Sequence, residues 1–96
     1  MPELNIDLQE GFEGDRVEIQ VGDQAVSRDS VKTRYQIGLA ESIRIAAQAD
    51  AGLVTVRLPD RGLSGTFKLT GAPYLAVSIK EGRIAFAPSH ESFRYM

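Results

Sequence analysis

Apolar and polar residues alternate along most of this chain. Leu4, Ile6 and Leu8 are interleaved with Asn5, Asp7 and Gln9, and Val17, Ile19 and Val21 with Glu18 and Gln20. A period of two places one set of side chains on a single face of an extended backbone, so each run predicts a strand with one buried and one wet side. Gly22-Asp23 follows the second run and predicts a tight hairpin, because glycine accepts positive φ. The return run, residues 24–31, is poorer in apolar positions. Ser27, Arg28, Asp29 and Ser30 mark it as an edge strand or an early exit from the sheet.

Later runs repeat the pattern. Val54, Val56 and Leu58 alternate with Thr55 and Arg57, and Pro59-Asp60-Arg61-Gly62 has turn chemistry. Strands are predicted near residues 66–70, with Phe67 and Leu69 inward, and near residues 75–79, with Leu75, Val77 and Ile79 inward. Glu81-Gly82 makes another short turn before Ile84 and Phe86. Residues 36–50 admit two readings. As a strand, Ile43, Ile45 and Ala47 alternate with Ser42 and Arg44; as a helix, Leu39, Ile43, Ala46 and Ala47 share a face, and the alanine-rich run has good helix propensity. The strand reading is favoured by Ile43-Arg44-Ile45. The expected fold is therefore an all-β, antiparallel sandwich of about seven or eight strands, with an α+β alternative carrying a helix near 36–50.

Composition narrows the function classes more than it selects one. With 96 residues the chain fits one domain, residues 1–96, in which 88–96 form a tail that packs back or is exchanged between copies. There is no cysteine, which excludes disulfides, thiolate metal sites and thiol catalysis. The 11 basic and 13 acidic residues leave a formal net charge of −2, against the basic excess expected of a nucleic-acid binder. The first residues carry no signal-peptide pattern and no apolar run approaches membrane-spanning length, so the expectation is a cytoplasmic protein with neither nucleic acid nor membrane as partner.

The run Gly71-Ala72-Pro73-Tyr74-Leu75-Ala76-Val77 resembles the tyrosine corner of immunoglobulin-like sandwiches. That resemblance implies that Tyr74 holds the corner, that Ala76 stands where antibody domains carry an inward cysteine, and that residues 83–87 complete the last hairpin. The cysteines and tryptophan of antibody domains are absent. If Leu75, Val77 and Ile79 face the core, Ala76 faces away from it, and motif and alternation agree only where the outer face of the strand is covered as well. Fold class alone is implied, since fold does not fix function.

Candidate chemistry is sparse. His90, the sole histidine, lies between Ser89 and Glu91 without a nucleophile elbow, and reads as an exposed tail residue. Glu10, Glu13 and Asp15 form an acidic turn, weak candidates for calcium ligands but more simply a solvated turn. Residues 62–66, Gly-Leu-Ser-Gly-Thr, lack the Gly-Lys-Ser/Thr end of a phosphate loop and read as a turn. Glu41, beside Leu39 and Ala40, is the acid in the most apolar setting. Arg28, Lys32, Arg34 and Tyr35 form a basic and aromatic stretch. If it is extended, Lys32 and Arg34 share one face, suited to an anionic partner or to guarding an edge against aggregation. Phe93 and Tyr95 place aromatic surface in the tail.

These signals point to a non-catalytic binding or adaptor module, engaging a protein partner or a copy of itself through loops or a sheet edge. Its candidate binding residues are Arg28, Lys32, Arg34, Tyr35, Phe93 and Tyr95, and no cofactor is implied. The alternative is a module for a small ligand, a glycan or calcium. An enzyme is the least supported class, because no nucleophile–base pair, metal set or cofactor loop stands out.

Overall fold

The computed structural model describes residues 3–34, 38–45 and 52–91. Over them the alternation becomes eight strands: β1 (Leu4–Leu8), β2 (Glu13–Val21), β3 (Gln24–Lys32), β4 (Glu41–Ile45), β5 (Leu53–Leu58), β6 (Leu63–Lys68), β7 (Tyr74–Lys80) and β8 (Arg83–Ser89). They form two four-stranded sheets, ordered β4-β1-β7-β8 and β3-β2-β5-β6. A 3-10 turn at Pro59–Arg61 separates β5 from β6, and the described residues include no α-helix.

The interior is built from the residues that the period of two selects. Leu4, Ile6 and Leu8 of the first sheet meet Val17, Ile19, Val54, Val56 and Leu58 of the second, all at most 1% exposed. Each such side chain contributes about 1.5–3 kcal/mol on burial, so the inner faces dominate the stability. Ile43 and Ile45 are buried together, which an extended backbone permits and a helix does not. Residues 41–45 are accordingly strand β4, antiparallel to β1 with Leu4 opposite Ile45 and Leu8 opposite Glu41. The helical alternative fails there; residues 36, 37 and 46–50 lie outside the described residues.

Two expectations need correction. Residues 62–66 are not a turn: all but Gly62 belong to β6, which pairs with β5 from Leu58↔Leu63 to Leu53↔Lys68. Gly65 is there because its backbone lies under β8, where a Cβ would stand 3.1 Å from the Phe86 ring and 3.2 Å from Ile84. Second, the sheets are not wholly antiparallel. β1 runs parallel to β7, Ile6 beside Leu75 and Leu8 beside Val77. Parallel ladders favour strands covered on both faces. Here the two strands are central, and their outward positions Asp7, Ala76 and Ser78 are buried as well as their inward ones.

The two open sides of the sandwich differ. On one, β6 and β8 close against each other through Gly65 and the stacked rings of Phe67 and Phe86, whose centroids are 5.4 Å apart. On the other, β3 and β4 meet through the Arg28–Glu41 ion pair and leave a groove between them.

Candidate functional site

The groove owes its character to an irregularity in β3. Between the pairs Val17↔Arg28 and Asp15↔Val31, two residues, Asp29 and Ser30, stand against the single Arg16. Such a bulge bends the strand and reverses which side chains face inward. Ser30 absorbs the extra residue with a φ of +56°. Before the bulge Val26 and Arg28 take the inward parity, opposite Ile19 and Val17; after it Val31 and Thr33 are buried, and Lys32 and Arg34 point to solvent.

Three of the basic residues expected from the sequence are thus brought to one edge in two roles. Arg28 reaches across the sandwich to Glu41, with its Nε 2.9 Å from Oε2. That oxygen is shielded from water and receives no aligned hydrogen bond, so the nearby guanidinium charge is what offsets its desolvation. Lys32 and Arg34 are exposed, and among the described residues neither has an ion-pair partner. Together with Ser30, Ala40 and Glu41 they line an open groove of about 490 Å³. Arg34 also donates its N–H to Leu39 O (3.0 Å) while its carbonyl accepts from Gly38 N (2.8 Å), which folds the chain back toward β4. Tyr35, Phe93 and Tyr95 lie outside the described residues.

Beneath the groove Thr33 ties the edge to the β1–β2 connection. Its hydroxyl donates to Gln9 O (2.7 Å) and accepts from Phe12 N (3.0 Å), and its own N–H donates to Phe12 O (2.9 Å). The sequence reading missed Thr33. Its signal was the alternation Val31-Lys32-Thr33-Arg34, which is visible once the bulge is allowed for.

The acidic turn is not the solvated loop expected. Glu13 and Asp15 belong to β2, and Asp15 is buried. Its two carboxylate oxygens accept from Arg61 Nε and Nη2, each at 2.8 Å, and one also accepts from Glu13 N at 2.9 Å. Arg61 further donates to Gly11 O. Glu13 is exposed, 3.9 Å from the same guanidinium, and Glu10 contributes its carbonyl to Ile79 N. Both Asp15 oxygens are thereby committed to Arg61. Among the described residues no group of three or more metal-ligating side chains converges elsewhere.

The remaining candidates are dispersed. His90 is exposed beyond the end of β8, with Ser89 Oγ hydrogen-bonded to the backbone of Glu91. Tyr74 begins β7 beside Asn5, and Ala76 is level with Asp7, away from the inter-sheet core but buried. Ala76 thus lies on the outer side of the strand, which is covered at that position. On the outer face of the second sheet a smaller depression of about 320 Å³ lies among Arg16, Glu18, Gln20, Thr55 and Arg57. The described residues include no helix long and apolar enough to cross a membrane. Comparison with protein-family models, with curated proteins and with solved structures finds no match to this chain.

Proposed function

We propose that this chain is a non-catalytic binding module that engages a protein partner through the sheet edge formed by β3 and β4. One observation carries the reading: one side of the sandwich is closed by β6 packing on β8, whereas β3 is exposed at most positions and bears a groove. An edge strand of this kind recognises a partner by main-chain pairing and shallow side-chain contacts, without reactive groups. The immunoglobulin-like kinship suggested by the Tyr74 segment and a cytoplasmic setting belong to the same proposal. The calcium alternative loses its support at Asp15, whose oxygens are taken by Arg61.

A photo-crosslinking amino acid at Ser27, exposed on β3, tests the reading in the native host and in the purified protein. Thr66, exposed on the outer face of β6, is the control position. Discrete adducts from position 27 that are absent from position 66 support edge binding. No adduct from position 27, or equal labelling from both positions, overturns it.

A further inference from the structure

Resting on that edge-binding reading, we propose that the groove takes an extended acidic segment of the partner, with carboxylates at alternate positions facing Lys32 and Arg34. The chain as a whole carries a net charge of −2, yet these two cations stand side by side at the groove with no ion-pair partner among the described residues. Their neighbours are already neutralised: Arg28 by Glu41, Arg16 by Glu18 and Asp29.

The bulge at Asp29-Ser30 is what aims both cations outward. Because they are two residues apart on extended backbone, their Cα atoms are about 6.5–7 Å apart, the repeat between alternate side chains of a strand. A partner strand with Asp or Glu at every second position matches that spacing, whereas a single phosphate spans it poorly. Glu41 on the opposite wall is already paired with Arg28, so the charge left open at the groove is that of Lys32 and Arg34. Two exposed cations are too few to grip a nucleic-acid backbone, which draws its affinity from many phosphate contacts.

The test uses the full chain and a fluorescent peptide of about twelve residues with glutamate alternating with valine and threonine. Matched probes carry glutamine in place of glutamate, or are a single-stranded DNA of similar length. Saturable binding of the acidic peptide is expected, weakened about fivefold by the double variant K32Q/R34Q and by exchange of glutamate for glutamine. R57Q, which removes one charge from the outer face of the second sheet, is expected to leave it unchanged. Thermal melting confirms that each variant is folded.

Absence of saturable binding below about 1 mM overturns the proposal, as does equal binding of the glutamine peptide, tighter binding of the DNA, or an equal loss in R57Q. The crosslinking at Ser27 reads edge binding independently of charge. Adducts there, together with indifference to K32Q/R34Q, would remove the acidic partner and leave the binding edge standing.

Discussion

Asp15 and Arg61 form a two-pronged ion pair, both carboxylate oxygens 2.8 Å from guanidinium nitrogens, that fastens the Pro59–Arg61 turn to the start of β2. The carboxylate side chain is 9% exposed and the arginine 28%, so the pair is shielded on one side and open on the other. Removing one partner from a buried pair leaves an uncompensated charge and costs more than an exposed pair is worth. Arg61→Ala is expected to lower the unfolding free energy by about 2–3 kcal/mol in urea titration, at the low end for buried pairs because Arg61 keeps some solvent. A loss below about 0.5 kcal/mol would place the pair with ordinary surface ion pairs.

Thr33 makes a second prediction. Valine has the same shape but cannot satisfy Gln9 O and Phe12 N, which would lose their partner at a part-buried and a buried site. Thr33→Val should destabilise by about 2 kcal/mol, with Thr33→Ser recovering most of that loss. Equal melting temperatures for the two variants would show that the hydroxyl is replaced by water.

Gly11 is constrained twice. Its φ is +92°, and an added Cβ would overlap the carbonyl oxygen and Cβ of Ile79, against which the chain leaves β1. Gly82, in the β7–β8 turn, has a φ of +73° with open space around the missing Cβ. Gly11→Ala should therefore cost about 3 kcal/mol or abolish folding, and Gly82→Ala about 1 kcal/mol, the conformational penalty alone. Soluble expression and denaturant midpoints compare them; similar midpoints would mean that the β1–β2 connection relaxes away from Ile79.

How much of this was legible beforehand depended on distance along the chain. The inward sets Leu4-Ile6-Leu8, Val17-Ile19-Val21 and Val54-Val56-Leu58 could be read directly, because alternation is local and burial of one face follows from it. The parallel pairing of β1 with β7 could not, since its register joins Ile6 to Leu75 and no local pattern encodes that. The Asp15–Arg61 pair was hidden for the same reason, its members 46 residues apart. The bulge was hidden differently: Ser30 holds a positive φ that serine seldom signals, whereas a glycine there would have marked it. Hence the shared face of Lys32 and Arg34 was anticipated, but their separation from Arg28 across the strand was not.

Because Arg61 occupies the Asp15 carboxylate, the acidic segment at residues 10–15 should not hold calcium. The melting temperature is expected to stay within about 1 °C between chelator and millimolar calcium, since a ligand that binds the native state must raise it. A rise of several degrees would restore the acidic segment as a metal site.

Amide hydrogen exchange, resolved residue by residue in dilute protein, reaches the central claim most directly. If β3 is an open edge laid on a tightly buried pair of central strands, amides of β1 and β7 should exchange last, near the rate of global unfolding. Those of β3 facing away from β2 should exchange orders of magnitude sooner. Protection of β3 equal to that of β1 in the dilute monomer would mean that the edge is already covered, and would contradict the proposed mode of binding.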